Sequence, residues 1–305
     1  MRIGIVGIGG VGGYFGGKLA REYENSNEHE IIFVARGEHL KAIQKNGLQL
    51  FTKEGDYIAR PKIATDNPAK AGIFDLVFFC TKSYSLESSA LEVIACINKN
   101  TVVIPLLNGV NSAERLRAVL PQANVLSGSV YIISHIEKPG IIKQEGGACK
   151  LTFGMDNQAS AKKYSYILDI LLRARINAAL TEKISEVLWI KYLLMCPLGS
   201  LTAVAGKTYG AIWADPALRK KARDMMLEVV AVAKARHVEL PEDAVDKSME
   251  MVAGFGYNSK TSMQLDREKG RQTEIDALTA YLCQAGRESG VPTPLHDEVY
   301  AQLIK

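Results

Sequence analysis

The first half of the chain alternates between short runs of apolar residues and segments whose apolar residues recur at helical spacing. Continuous apolar runs predict buried strands at 2–7, 30–36, 75–82 and 101–109. Helical spacing is found between them, at 11–23, 37–47 and 85–97. More polar strands are predicted within 48–63, 124–133 and 140–154. Buried strands that alternate with helices are typical of a parallel sheet covered on both faces.

From about residue 160 the strand pattern disappears. The remaining segments have helical spacing, at 160–174, 185–196, 216–237, 241–255 and 273–290. The sequence therefore predicts an α/β domain over residues 1–182, followed by an all-α domain over residues 183–305. A chain of 305 residues is long enough for two domains.

Composition narrows the functional classes. The net charge of +4 comes without a long basic block, so nucleic-acid binding is not indicated. Five cysteines without a C-x-x-C motif are typical of reduced thiols in the cytoplasm, and no two histidines have the i,i+4 spacing of a metal site. The N-terminus does not resemble a signal peptide. The longest apolar stretch contains Lys191, Pro197 and Gly199, which disfavours a membrane span.

A glycine-rich loop follows the first predicted strand. Gly7, Gly9 and Gly12 form G-x-G-x-x-G between that strand and a predicted helix. This context is typical of dinucleotide binding, because the glycines allow a tight turn, close approach of a pyrophosphate and close helix packing. The alternative is a glycine-rich turn without a ligand. The predicted cofactor-binding loop consists of Gly7, Ile8, Gly9, Gly10, Val11 and Gly12.

The residue at the end of the second strand bears on which dinucleotide is bound. NAD sites usually have Asp or Glu there to hold the ribose hydroxyl, whereas this chain has Arg36. A guanidinium suits a 2′-phosphate, so NADP(H) is the predicted cofactor. The alternative is a solvated surface arginine.

Tyr14 and Lys18 have the i,i+4 spacing of the catalytic pair of short-chain dehydrogenases. They belong to the first predicted helix, behind the glycine loop. We therefore interpret Tyr14 as a packing residue and Lys18 as a surface residue.

Lys191 lies in a segment that is apolar on every side of a helix. Lysine is rarely buried without a partner, and burial lowers its pKa so that it can donate a proton near neutrality. The alternative is a lysine that extends to the surface. Glu274 and Ser262, each near a predicted helix start, are candidate site residues. Their structural alternatives are a first-turn acid and a helix cap.

Several motifs resemble those of the ketopantoate reductases (2-dehydropantoate 2-reductases) over essentially the whole chain. They are GIVGIGGVG, FVAR, CTKSY, LLNGV, LWIKYLLMCPLGSLTA and TSMQLD…GRQTEID. The last two are fairly specific, whereas many dehydrogenases share the glycine loop. The resemblance implies an N-terminal Rossmann-type domain, a helical C-terminal domain and an active site in the cleft between them.

The resemblance also implies a role for each matching residue. The loop 7–12 would hold the pyrophosphate and Arg36 the 2′-phosphate. Lys82 and Asn108, each after a predicted strand, would line the cofactor, with Asn108 also beside the substrate; their alternatives are a solvated lysine and an ordinary Asn-Gly turn. Lys191 would donate the proton to the substrate. Ser262 would bind the substrate, and Glu274 would bond to the cofactor or the substrate hydroxyl.

Three positions depart from the family pattern. The family's lysine is usually followed by substrate-binding asparagines at i+4 and i+8, where this chain has Met195 and Gly199, and a third asparagine aligns with Tyr209. The reaction is therefore better defined than the substrate: NADPH-dependent reduction of 2-dehydropantoate or a related 2-oxo acid, without metal. The sequence is compatible with a homodimer but does not determine the oligomeric state.

Two other functions remain open. One is a β-hydroxyacid dehydrogenase acting on another substrate, against which Met195 counts because that class usually has asparagine at this position. The other is a non-catalytic NADP-binding regulator, against which Lys191 and Glu274 count because a sensor needs no proton donor.

Overall fold

The computed structural model describes residues 1–156 and 162–305, and the chain divides into two compact units. The first unit comprises residues 1–107 and 111–184, and the second comprises residues 108–110 and 185–305. The start of the helix predicted at 160–174 lies outside the described residues. The short segment 108–110 thus belongs with the second unit, although it begins three residues after a strand of the first unit ends at Pro105.

A six-stranded parallel sheet forms the centre of the first unit, in the order β5-β2-β1-β6-β7-β8. Its strands are β1 (Arg2–Val6), β2 (Glu30–Val34), β5 (Ile63–Thr65), β6 (Leu76–Phe79), β7 (Val102–Pro105) and β8 (Asn124–Val125). Four helices of this unit are α1 (Gly10–Glu22), α2 (Gly37–Asn46), α3 (Leu86–Glu92) and α4 (Ser112–Val119). The central strands are buried along nearly their whole length, which explains their continuous apolar runs. The predicted α/β arrangement is confirmed.

The first unit also contains a second, mixed sheet in the order β11-β10-β3-β4, with β9 antiparallel to β10. Its strands are β3 (Leu48–Phe51), β4 (Tyr57–Ala59), β9 (Ser127–Lys138), β10 (Ile141–Gly154) and β11 (Asn177–Thr181). A further helix, α5 (Ser165–Arg173), precedes β11. The expectation that strands end before residue 160 was wrong. β11 pairs in parallel with β10, but it is short and mostly half-buried, so it lacks a long apolar run.

The many glycines of α1 are explained by packing on both sides of the helix. A Cβ at Gly16 would lie 3.0 Å from Ile5 in the parallel sheet. On the other side, a Cβ at Gly17 would lie 2.6 Å from Leu50 of the mixed sheet. Side chains at these positions would push the sheets away from the helix, so glycine allows α1 to pack between them.

Lys18 is buried rather than exposed, which corrects its assignment as a surface residue. Its side chain is 7% exposed, and its Nζ donates to Glu54 Oε2 at 2.6 Å and to the carbonyl oxygen of Arg175 at 2.7 Å. The apolar stem lies within the core while the ammonium group finds these oxygens. Tyr14 is buried, which confirms its packing role.

The second unit is helical, as predicted. Its helices are α6 (Ile184–Ala205, whose first residue belongs to the first unit), α7 (Tyr209–Ala214), α8 (Pro216–Ala235), α9 (Ala244–Gly254), α10 (Ser262–Glu268), α11 (Tyr281–Glu288) and α12 (Pro294–Leu303). A π-helical turn, Asp276–Ala280, leads directly into α11. α6 has the length and hydropathy of a membrane span, but 78% of its most apolar window is buried in the protein, as in the core helix of a globular domain.

Candidate active site

Three glycines of the segment 7–12 leave no room for a side chain. A Cβ at Gly10 would lie 2.1 Å from the carbonyl oxygen of Ser134. Gly7 has a φ of +93°, and a Cβ there would lie 2.9 Å from the Thr81 side chain. A Cβ at Gly12 would overlap the carbonyl oxygen of Gly7. The loop therefore makes the tight strand-to-helix turn that the sequence predicts.

Gly9 differs from these glycines because open space surrounds the place where its side chain would be. No atom lies within 4 Å of a Cβ built at Gly9, which is the residue before the first turn of α1. The first N–H groups of a helix have no partner inside the helix and favour an anion. The open space at Gly9 and the first N–H groups of α1 together fit a dinucleotide pyrophosphate.

Arg36 and Lys82 each follow a strand of the parallel sheet. Arg36 is two residues beyond β2, immediately before α2, and its guanidinium donates to both carboxylate oxygens of Glu92. Its side chain is 64% exposed, so it remains accessible to a ligand. Lys82 is three residues beyond β6 and half-buried. Both lie at the carboxyl ends of parallel strands, where open α/β sheets bind their ligands.

In the second unit, three of the predicted residues are joined by hydrogen bonds. Lys191 Nζ donates to Asn108 Oδ1 at 3.0 Å, and Asn108 Nδ2 donates to Glu274 Oε2 at 3.1 Å. The amide of Asn108 therefore lies between an ammonium and a carboxylate, with its oxygen and nitrogen each facing the appropriate partner. Lys191 and Glu274 are both buried.

Burial governs the ionisation of Lys191. Loss of solvation lowers its pKa to about 8, while the nearby carboxylate of Glu274 acts in the opposite direction and raises it. A lysine with this pKa is largely protonated at neutral pH and releases its proton readily. The alternative of a lysine that extends to the surface is excluded by its burial.

The turn that carries Asn108 explains why it meets Lys191. Gly109 has a φ of +95°, and a Cβ there would lie 2.9 Å from the carbonyl oxygen of Ala277. Only glycine lets this turn approach the π-helical segment so closely. Sequence reasoning placed Asn108 after a strand but did not predict its hydrogen bonds to Lys191 and Glu274; the Asn-Gly dipeptide marked only a turn.

Ser262 does not cap α10, although capping was its structural alternative. It is the first residue of that helix and is exposed. Thr261, the residue before it, provides the cap by accepting from the N–H of Gln264 at 3.1 Å. The Ser262 hydroxyl is therefore not needed for the helix end.

The three positions that depart from the family pattern have largely apolar surroundings. Met195 is half-buried, one turn beyond Lys191 on α6. A Cβ at Gly199 would lie 3.8 Å from Leu278 and 3.9 Å from Met263, so hydrocarbon borders this position. Tyr209 is buried and packs on Phe255, with 4.7 Å between ring centroids, and burial raises its pKa to about 12.

Comparison with known proteins identifies the family. Residues 3–158 match the family described as Ketopantoate reductase PanE/ApbA, and residues 183–305 match its C-terminal counterpart. The chain is 30% identical to a 2-dehydropantoate 2-reductase from Mesorhizobium japonicum, over 99% of this chain and 96% of that protein.

Solved structures of other proteins share this fold. A PanE/ApbA family ketopantoate reductase from Ralstonia eutropha has a TM-score of 0.89 and 30% identity, with 100% of this chain and 97% of that chain covered. A D-mandelate dehydrogenase, solved with NADH and anilino(oxo)acetate, shares the fold with a TM-score of 0.85 and 23% identity, over 100% of this chain and 97% of that chain. The chain belongs to the ketopantoate reductase family of oxidoreductases.

Proposed function

We propose that this protein is an NADPH-dependent reductase of small 2-oxo acids, with Lys191 as the proton donor. The observation that carries the proposal is the buried chain of hydrogen bonds from Lys191 through Asn108 to Glu274. A protonated lysine of lowered pKa, held by an oriented amide, suits protonation of a carbonyl oxygen as negative charge develops there. Membership of an oxidoreductase family supports the same reaction.

Most of the residues that would bind the cofactor belong to the first unit, whereas Asn108 belongs to the second. The Gly9 backbone and the first turn of α1 would hold the pyrophosphate, and Arg36 would exchange Glu92 for a 2′-phosphate. Lys82 would contact the cofactor, and Asn108 would serve the nicotinamide and the substrate. When bound, the nicotinamide supplies the hydride. Residues 1–182 would form the NADP-binding domain and residues 183–305 the substrate domain.

The protein's own step is a proton transfer. The N–H bond of Lys191 breaks as its proton moves to the oxygen of the reduced carbonyl, which leaves a neutral amine and a 2-hydroxy acid. Asn108 Oδ1 fixes the direction of Nζ, and Glu274 stabilises the ammonium before transfer. Ser262 would bind the substrate through its exposed hydroxyl.

The substrate pocket would favour apolar side chains. Met195 and Gly199 offer no side-chain amide, and the space beside Gly199 is bordered by Met263 and Leu278. An apolar pocket discriminates weakly, by about 10–200-fold, whereas a site that binds a hydroxyl by hydrogen bonds rejects analogues without it by about 10⁴–10⁵. 2-Oxoisovalerate should therefore be reduced with a kcat/KM within about two orders of magnitude of that for ketopantoate.

Turnover with a panel of 2-oxo acids tests the proposal, with NADPH oxidation as the readout. Lys191→Ala should lower kcat by roughly 10²–10⁴ while NADPH binding changes little. Met195→Asn should raise the kcat/KM for ketopantoate relative to that for 2-oxoisovalerate.

Tight NADPH binding without turnover of any 2-oxo acid would instead indicate a non-catalytic NADP-binding protein. A preference for ketopantoate above about ten-thousand-fold would contradict the apolar pocket. A homodimer and a cytoplasmic location remain predictions.

A further inference from the structure

The residue next to Glu274 begins a turn that is wider than an α-helical one. The N–H of Ala280 donates to the carbonyl oxygen of Ile275 at 3.0 Å, and the N–H of Tyr281 donates to Asp276. Both bonds span five residues, as in a π-helix, which is rare and often found at functional sites. One extra residue in a turn changes the direction of the preceding side chains by about 100°. The wide turn therefore determines where Glu274 points.

Tyr192, the neighbour of Lys191 on α6, holds this turn. Its hydroxyl donates to the carbonyl oxygen of Leu278, in the middle of the turn, at 2.6 Å. Both groups are buried, and the Tyr192 ring packs edge-on against Trp189 and Tyr281. Burial raises the pKa of Tyr192 well above its ordinary value, so the hydroxyl keeps the proton that it donates.

A second hydrogen bond joins α6 to the same turn. Ser200 Oγ donates to the carbonyl oxygen of Cys196 at 2.6 Å, so Thr279 Oγ1 is the donor in its 2.6 Å contact with Ser200. Ser200 is about two turns beyond Tyr192 on the helix. The wide turn is thus held at Leu278 and at Thr279 by the helix that carries Lys191.

We propose that Tyr192 is a positioning residue for proton donation: its hydroxyl holds the wide turn in the form that places Glu274 against Asn108 and Lys191. This inference rests on the proposed function of Lys191. Tyr192 does not take part in the chemistry itself. It acts through Glu274, whose negative charge supports the Lys191 ammonium across Asn108.

Tyr192→Phe removes one of the two donors to the carbonyl oxygen of Leu278, the other being the N–H of Tyr281. The wide turn should then relax, so that Glu274 loses its place beside Asn108. Because Glu274 raises the pKa of Lys191, that pKa should fall. The alkaline limb of the kcat profile for reduction should then move to lower pH. At neutral pH kcat should fall about tenfold with KM little changed, since a buried carbonyl loses one of its two donors and the wide turn loses its link to α6.

The matched control is Tyr23→Phe. Tyr23 also donates its hydroxyl to a buried carbonyl oxygen, that of Ile170 at 3.0 Å, but it lies in the first unit. Tyr23→Phe should lower the stability of the protein by a similar amount and leave the pH profile of kcat unchanged. Ser200→Ala, which removes the second hydrogen bond, should shift the pH profile in the same direction by less, and it tests the proposal if Tyr192→Phe fails to fold.

A double-mutant cycle identifies the route of the effect. In a Glu274→Gln background, Tyr192→Phe should cause little further change in kcat or in the pH profile, because both act through the same carboxylate. Equal effects of Tyr192→Phe in both backgrounds would overturn the proposal. So would a stability loss like that of Tyr23→Phe with an unchanged pH profile.

NMR titration of ¹³C-labelled lysine gives a readout that does not need turnover, with the Lys191 signal assigned from Lys191→Arg. The titration should show a lower Lys191 pKa in Tyr192→Phe than in the wild type. If no 2-oxo acid is turned over but this shift appears, the proposed function fails and the positioning of Glu274 stands. An unchanged Lys191 pKa overturns the positioning role whatever the activity.

Discussion

At the scale of single residues, Arg36 determines the predicted preference for NADPH over NADH. Arg36→Ala should weaken NADPH binding by about 1.5–3 kcal/mol, the usual contribution of a hydrogen bond to a charged group, and leave NADH binding almost unchanged. Fluorescence titration of both cofactors into wild type and variant measures the effect.

Arg2→Ala is the control for Arg36→Ala. Arg2 is also an exposed arginine paired with a carboxylate, Glu30 at 3.0 Å, but it begins β1 at the amino end of the sheet. Arg2→Ala should leave the affinities for NADPH and NADH unchanged. Equal NADPH and NADH affinities in the wild type would show that Arg36 does not bind the 2′-phosphate.

The residues of the site differ in how far the sequence could predict them. Lys191 could be singled out because a charged residue inside an apolar helical pattern is unusual. Its hydrogen bond to Asn108 could not, because 83 residues separate the two and the contact depends on how the Asn108 turn packs on the π-helical segment. The roles of Ser262 and Lys82 still rest on the family resemblance.

At the scale of elements, the loop between β1 and α1 allows a test that separates ligand space from folding. Gly9 has negative φ and open space around it, so Gly9→Ala should fold, with a stability loss of about 1 kcal/mol because alanine is a poorer N-cap than glycine. The added methyl would occupy the space through which a pyrophosphate approaches the helix. NADPH affinity should therefore fall at least about tenfold, equivalent to 1.4 kcal/mol.

Gly254→Ala is the matched control for Gly9→Ala. Gly254 ends α9 in the second unit, and no atom lies within 4 Å of the place that an added Cβ would take there. Gly254→Ala should leave the NADPH affinity unchanged and raise stability by at most about 1 kcal/mol, because alanine favours a helix more than glycine does. Unchanged NADPH binding in Gly9→Ala, measured by isothermal titration calorimetry, would place the pyrophosphate elsewhere.

The elements themselves are predictable where the pattern is strong. β1, β2, β6 and β7 are buried apolar strands, and α2 ends at Gly47, as its sequence predicts. β11 escapes sequence prediction because its stability comes from pairing with β10 rather than from its own apolar run. The π-helical turn escapes sequence prediction because it is the first turn of its helix, so no helical turns precede it in which a change in the spacing of apolar residues could be seen.

At the scale of the whole molecule, stability and function conflict at Lys191. A buried ammonium has a lower pKa in the folded protein than in the unfolded chain, about 8 against about 10.4. Between these values the unfolded chain binds more protons, so this group makes stability rise with pH. The same burial that equips Lys191 for proton donation therefore destabilises the fold at neutral pH.

This conflict predicts the pH dependence of Lys191→Met, which removes the charge but keeps an apolar side chain of similar length. From pH 7 to pH 9.5 the wild type should gain about 2 kcal/mol of stability relative to the variant, because the folded wild type releases the Lys191 proton first. Urea unfolding followed by tryptophan fluorescence measures this difference. Both tryptophans, Trp189 and Trp213, lie in the second unit with Lys191, so the signal reports the unfolding of that unit.

Lys247→Met is the control, at an exposed lysine of the same unit. The stability of the wild type relative to Lys247→Met should not rise in this way with pH. A difference between Lys191→Met and wild type that stays constant with pH would mean that Lys191 keeps an ordinary pKa, and the proton donor would have to be sought elsewhere.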